Sequence, residues 1–185
     1  AEEKGFSVMD LEGSKATCEK VDSYLARNHP SLVLLNGHGS PSLIAGHKNE
    51  PLVDVRSAGK LKETIVYTIS CSAAKELGPE CIRKGGIAFI GYEEDFGFTV
   101  DLTRDANPAK DHLSEPFMHA SNMVSEQLVK GSTVRDACLK SQAVFKEEIR
   151  KHAVSDAQPE NKEIRFWLFW DMIYQKSHGE KTATI

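Results

Sequence analysis

The sequence has no long hydrophobic run and no block of basic residues. Its apolar stretches fall far short of the roughly 20 residues that a membrane-spanning helix needs, and the N-terminal segment AEEKGFSVMD lacks the hydrophobic core of a signal peptide. The net charge is -4, and basic residues are interspersed with acidic ones. That distribution argues against a protein that binds nucleic acid through its phosphates. We therefore expect neither a membrane nor a nucleic acid as partner.

The sequence also lacks regularly spaced cysteines. Its four cysteines form no CxxC pair, which argues against a zinc ribbon and against a disulfide framework. A set of His38, His47 and Cys71 would make a poor zinc site, because no two of these residues are closely spaced. We predict no metal and no cofactor, and the cysteine usage favours a reducing, cytoplasmic location.

What is present is the composition of one globular domain. The 185 residues are 40% hydrophobic and 27% charged, without an internal repeat or a low-complexity segment. We expect a single domain over residues 1–185. Because the sequence begins with Ala1 and not with Met, the expectation includes further domains or a regulatory partner outside this segment.

Alternating apolar and amphipathic segments predict an α/β fold with a mainly parallel sheet. Three apolar runs are typical of buried strands: LVLL at 32–35, TIVYTIS at 64–70 and IAFIGY at 87–92. Helices are predicted at 14–28 with Ser14 as N-cap, at 55–63, at 72–86 with a break at Gly78–Pro79, at about 116–130 and at 134–152.

Four other segments have less definite patterns. They are a short strand at 5–13, a hairpin or irregular arm at 43–54, a polar loop at 101–115, and a strand or buried helix at 163–174. The last of these, which contains FWLFWDMIY, is expected to bury its aromatic side chains in the core. An exposed interface is the alternative for that segment.

Two reactive residues follow predicted strands. His38 comes shortly after the strand that ends at Leu35, and Cys71 comes directly after TIVYTIS. Because ligand and active sites of such sheets form at the carboxyl ends of the strands, we expect both side chains at one site. A thiol attacks a carbonyl as the thiolate, which a neighbouring histidine or a helix N-terminus stabilises. Cys71 meets the second condition if a helix begins directly after it.

Glycine at position 39 suits the same site. Without a Cβ its backbone can approach a substrate closely, so that the N–H groups of Gly39 and Cys71 can donate to an oxyanion. Each reactive residue alone has an ordinary alternative: His38 as a hydrogen-bonded loop residue, and Cys71 as a small buried hydrophobe. Their joint occurrence at two strand ends favours catalysis.

The order LVLLNGHGS, TIVYTISC and GGIAFIGYEEDFGF resembles the caspase–hemoglobinase fold of clan CD cysteine peptidases, especially its gingipain-like and CHAT branches. The resemblance covers about residues 5–175 and implies a caspase-like, three-layer α/β/α sandwich. It also implies a thiol protease, a hydrolase of peptide or protein substrates. His38 would be general base and acid, Cys71 the nucleophile, and Gly39 with Cys71 the oxyanion donors. No third catalytic carboxylate is implied, and Asn36 either orients the imidazole or serves as a turn residue.

Three acidic residues, Glu93, Glu94 and Asp95, follow the third strand and are expected at the rim that holds His38 and Cys71. In separase-like members of the group, an acidic residue of the matching loop engages a substrate arginine, and Asp95 falls nearest that position. Carboxylates there would favour Arg or Lys before the cleaved bond. The alternative is a solvated acidic loop. Ile69 stands where caspases and legumain place a polar pocket residue, which argues against their Asp and Asn preferences.

Two hypotheses from other functional classes stay open. The first is a catalytically inactive caspase-like scaffold or regulatory interaction domain. The second is an unrelated α/β binding or acyl-transfer domain. A nucleotide-binding module is disfavoured, because NGHGS has neither the GxGxxG nor the GxxxxGK[ST] spacing of a phosphate loop.

Overall fold

The computed structural model describes residues 2–100, 111–153 and 159–185 of the chain, so most of the polar loop predicted at 101–115 lies outside the described residues. A four-stranded sheet has the strand order β1-β5-β6-β7, and a small antiparallel sheet has the order β2-β3-β4. The strands are β1 (Leu32–Leu35), β2 (Gly39–Ser40), β3 (Leu43–Ala45), β4 (Pro51–Asp54), β5 (Ile65–Thr68), β6 (Ala88–Tyr92) and β7 (Gln175–Gly179).

Helices contact both faces of the larger sheet. They are α1 (Cys18–Asn28), α2 (Leu77–Arg83), α3 (Glu115–Val129), α4 (Val134–Ala153) and α5 (Pro159–Tyr174). Side chains alternate along a strand, so Val66 and Phe89 pack with α1 and α2, whereas Tyr67 and Ile90 pack with α3 and α4. The prediction of an α/β fold with a mainly parallel sheet is confirmed: β1, β5 and β6 are parallel, and β7 is antiparallel.

The N-terminal segment differs from its prediction. No strand forms at 5–13, where Val8 and Met9 are exposed and the residues therefore lack the one-sided burial of a strand. The first helix begins at Cys18, and its N-cap is Thr17, whose side chain accepts a hydrogen bond from the Lys20 N–H. Ser14 instead lies in a short 3-10 turn.

The segment after β5 also differs from the sequence-based expectation. Residues 71–76 form turns, and α2 does not begin until Leu77. Gly78 and Pro79 do not break this helix, because they lie in its first turn, where the N–H that proline lacks has no intrahelical partner. Cys71 is therefore not at a helix N-terminus, which removes one of the two expected means of stabilising its thiolate.

Two uncertain segments are resolved by the structure. Residues 43–54 form an antiparallel hairpin of β3 and β4, with a 3-10 turn at His47–Asn49. The aromatic segment at 163–174 lies in helix α5, which buries Ile164 and Leu168 but leaves Phe166 and Phe169 about half exposed. Within the part of the chain that the structure describes, no helix combines the length and apolar character needed to cross a bilayer.

Candidate active site

The pairing of β1 with β5 brings the two predicted catalytic residues to the same edge of the sheet. The strands are parallel and in register, with Leu35 opposite Thr68. His38 lies three positions beyond the first of these residues, and Cys71 lies three positions beyond the second. The edge at which the two strands end is therefore the place where both side chains leave the sheet.

Gly39 lies directly against the backbone of Cys71. A Cβ built on Gly39 would come within 2.5 Å of the Cys71 carbonyl oxygen, 2.8 Å of the Cys71 nitrogen and 2.8 Å of the Ser70 Cβ. Real Cβ atoms do not approach backbone atoms so closely, so only glycine fits here without movement of the neighbouring chain. Gly39 begins β2, and the preceding His38 carbonyl accepts the Ala45 N–H at 2.8 Å. The small sheet thus fixes the turn that carries His38.

The two side chains of the predicted dyad have different surroundings. His38 is exposed, and so is Asn36. Cys71 is partly buried and packs against the aromatic cluster around Tyr92 and Phe96. Burial raises the pKa of the Cys71 thiol, and this effect outweighs the Phe96 N–H, which faces the sulfur and favours the thiolate. At neutral pH Cys71 is therefore a thiol that needs a base to remove its proton.

The three acidic residues after β6 have different partners, and they form part of what we call the acidic loop (residues 93–98). Glu94 pairs with Lys75 at 2.9 Å, and its side chain is only about one third exposed. Asp95 is exposed and accepts a hydrogen bond from the Ser72 hydroxyl at 2.8 Å. Its charge also contributes to the raised pKa of Cys71, the residue before Ser72. Glu93 donates its backbone N–H to the Tyr174 carbonyl.

The turn after Cys71 is tied to the same loop. Ser72 has a φ of 54°, a left-handed conformation that is uncommon for serine, and its N–H donates to the Glu94 carbonyl at 3.1 Å. The Ala74 N–H donates to the Tyr92 carbonyl at 2.9 Å. These contacts hold the chain directly after Cys71, so the sulfur is presented at the start of a constrained turn.

Comparison with known proteins adds no assignment. No family model, curated protein or solved structure matches this chain. Among the residues that the structure describes, no three histidine, cysteine or acidic side chains are grouped so that they can hold a metal ion. The chemistry of the site is therefore inferred from its own geometry.

Sequence reasoning missed a further carboxylate near the site, in addition to the three of the acidic loop. Asp171 lies in α5, is fully buried, and accepts the Gly97 N–H at 2.9 Å. Burial raises its pKa to about 8, and its charge opposes ionisation of Cys71. The signal available in the sequence was an aspartate inside the apolar run FWLFWDMIY. A carboxylate in such a run either is buried or faces solvent, and only the fold distinguishes the two cases.

Proposed function

We propose that this chain is a caspase-like cysteine endopeptidase in which His38 and Cys71 form a catalytic dyad. The observation that carries the proposal is the in-register parallel pairing of β1 and β5, together with the contact between the Gly39 and Cys71 backbones. The proposal agrees with the short antiparallel sheet that follows His38, whereas a phosphate-binding loop is followed by a helix.

The raised pKa of Cys71 determines how the dyad works. Because the free sulfur is protonated at neutral pH, His38 acts as general base and takes the thiol proton as the sulfur attacks the carbonyl carbon. The oxyanion of the resulting tetrahedral intermediate accepts hydrogen bonds from the Gly39 and Cys71 N–H groups. His38 then gives the proton to the leaving amine as the C–N bond breaks. Water hydrolyses the remaining thioester and restores the thiol.

The acidic loop supports a substrate with a basic residue before the cleaved bond. Asp95 is the best placed of its three carboxylates, since it is exposed and accepts a hydrogen bond from Ser72, the residue after Cys71, whereas Glu94 already has Lys75 as a counter-charge. A bound guanidinium or ammonium would offset the Asp95 charge that opposes thiolate formation. A basic substrate would in this way both bind to the loop and make Cys71 easier to ionise.

A fluorogenic peptide panel that varies only the residue before the cleaved bond tests this function. We expect turnover with Arg or Lys at that position, loss of turnover in Cys71→Ala, and a loss of about a hundredfold or more in His38→Ala. In Asp95→Asn, kcat/KM for the basic peptides falls while turnover of a neutral peptide, where measurable, does not. The matched control is Glu93→Gln, in the same loop.

The raised thiol pKa also fits the second candidate, an inactive scaffold with the same fold. Alkylation by iodoacetamide and by an arginine-based acyloxymethyl ketone separates the two. An active enzyme is labelled at Cys71 by the ketone much faster than His38→Ala is. Equal labelling of the two proteins, together with negligible turnover of every peptide, contradicts the endopeptidase and favours the scaffold.

A further inference from the structure

Two buried polar atoms near the proposed nucleophile have no hydrogen-bond partner among the described residues. They are Oγ of Ser70, the residue just before Cys71, and Oδ2 of Asp171. Both side chains are buried, with at most 1% of Ser70 and none of Asp171 exposed. A buried polar atom without a partner costs free energy, so its position calls for a functional explanation. Asp171, unlike Ser70, has a second side-chain oxygen, and that oxygen accepts a hydrogen bond.

The engaged oxygen, Oδ1, fixes one peptide of the acidic loop. It accepts the Gly97 N–H at 2.9 Å. Gly97 cannot carry a side chain here, because a Cβ would come within 2.1 Å of the Trp167 ring. One residue before Asp171, Trp170 donates its Nε1–H to the Asp95 carbonyl at 3.0 Å. Helix α5 therefore holds the acidic loop at two residues, Asp95 and Gly97, through two hydrogen bonds and one aromatic ring.

The residue between these two anchored positions faces the sulfur. Phe96 is buried, its ring packs edge-on against Tyr92 at 4.9 Å between centroids, and its N–H faces Cys71. The Phe96 N–H precedes the Gly97 N–H by one residue along the same short stretch of chain. Movement of Gly97 away from α5 would therefore move the Phe96 donor relative to the sulfur.

We propose that Asp171 is a positioning residue of the Cys71 site: by accepting the Gly97 N–H it holds the Phe96 N–H toward the sulfur, so that α5 controls the reactivity of the nucleophile. This inference rests on the proposed role of Cys71 as the nucleophile. Asp171 itself touches neither substrate nor the reacting atoms.

Asp171 has two opposite effects on the Cys71 thiolate, and they must be separated. Its charge disfavours the thiolate, whereas its hydrogen bond to Gly97 favours the thiolate by holding the Phe96 N–H in place. The charge of Asp171 raises the pKa of two groups, Cys71 after β5 and Tyr92 in β6. Asp95 of the acidic loop is the nearest charged residue along the loop, and its carbonyl accepts a hydrogen bond from Trp170, the neighbour of Asp171. With a pKa of about 8, Asp171 is mostly a neutral carboxylic acid at neutral pH, and asparagine reproduces that form. Asp171→Asn therefore keeps an oxygen for Gly97 and removes only the charge, whereas Asp171→Ala removes both.

Alkylation of Cys71 by iodoacetamide, measured against pH by mass spectrometry of the peptide that contains it, tests the inference without any need for peptidase activity. At about pH 7 we expect Asp171→Asn to react at about the wild-type rate. Asp171→Ala should react about tenfold more slowly, since the lost donor raises the thiol pKa by about one unit. Above about pH 8, Asp171→Asn should react faster than wild type, because the wild-type carboxylate opposes the thiolate.

Equal alkylation rates of the Ala and Asn variants across the pH range overturn the positioning role. Hydrogen exchange of the Gly97 amide in the wild-type protein gives a second test that does not depend on any variant folding. Slow exchange supports the bond to Asp171, and exchange at the rate of an open loop overturns it. If the alkylation pattern holds and no peptide is cleaved, the inference stands and the endopeptidase proposal fails, so the two failures are distinguishable.

Discussion

Gly39 occupies a place where any other residue must displace the backbone of Cys71. An added Cβ would meet the Cys71 nitrogen and carbonyl oxygen within 2.8 Å. We expect Gly39→Ala to shift the nucleophile and its N–H group, and to lower kcat/KM by about a hundredfold, the cost of a displacement of about 1 Å at a reacting centre. The measurement is steady-state cleavage of the best peptide of the panel.

Gly59→Ala is the matched control for this substitution. Its added Cβ would meet nothing closer than the Lys84 side chain at 3.7 Å, which is an ordinary van der Waals contact, and the site lies outside the proposed catalytic region. We expect this variant to retain full activity. If Gly39→Ala also retains full activity, the contact with Cys71 is not part of the catalytic geometry.

At the residue scale, the sequence indicated that two reactive residues lie at the same edge of the sheet, but not how they are held. His38 and Cys71 were predictable because each follows an apolar strand, and parallel strands end at one edge of a sheet. Asp171 was not, because its contact with Gly97 joins positions 74 residues apart (171 minus 97). The protonation state of Cys71 was equally hidden, since it depends on burial by residues far away in the sequence.

At the scale of elements, α3 and α4 are joined by a buried carboxylate. Glu148 lies 3.0 Å from His119 Nδ1 and 2.9 Å from Lys151 Nζ. Burial alone would raise the pKa of Glu148, but the hydrogen bonds from Lys151 and His119 outweigh it and lower the pKa. This stabilisation is present above the ordinary pKa of 4.5 and is lost as the pH falls below it. We expect Glu148→Gln to lower the free energy of unfolding by about 1 kcal/mol at neutral pH.

Urea unfolding at two pH values checks this prediction. The difference between wild type and Glu148→Gln should shrink once the pH falls well below 4.5. Glu147→Gln is the matched control, because Glu147 pairs with the same Lys151 from a side chain that is 62% exposed. An exposed pair contributes little, so this control should unfold almost as wild type does. A loss as large in Glu147→Gln would show that the buried geometry is not the cause.

The elements that the sequence predicted best are those with strong periodicity. The three apolar strands and helices α3 and α4 formed where their patterns indicated. Strand β7, with the sequence QKSHG, has no strand pattern and forms because it pairs along the whole of β6. The expected break at Gly78–Pro79 did not occur because the helix started later than its composition suggested, which placed both residues in the first turn.

At the scale of the molecule, a buried polar network joins the sheet to the helices beneath it. Gln175 of β7 donates to the Tyr92 hydroxyl and to Ser141 of α4, at 3.2 and 2.9 Å. The Tyr67 hydroxyl donates to the Ser121 carbonyl in α3 at 2.7 Å. Three strands and two helices thus share one set of hydrogen bonds below the edge that carries the proposed site. A network of this kind specifies how the layers pack, which hydrophobic contacts alone do less well.

The buried carboxyl of Asp171 gives the whole protein a second pH dependence, opposite in sign to that of Glu148. Its pKa is about 8 in the folded protein and near the ordinary 3.8 when the chain unfolds, so between these values the folded state holds a proton that the unfolded state releases. Its contribution to stability is therefore complete at low pH and is lost as the pH rises toward 8. Asp171→Asn has no such titration. We expect the unfolding free energy of wild type relative to Asp171→Asn to fall by on the order of 1 kcal/mol per pH unit across this window. Urea unfolding of both proteins at several pH values measures it, and parallel curves would show that Asp171 does not carry a raised pKa.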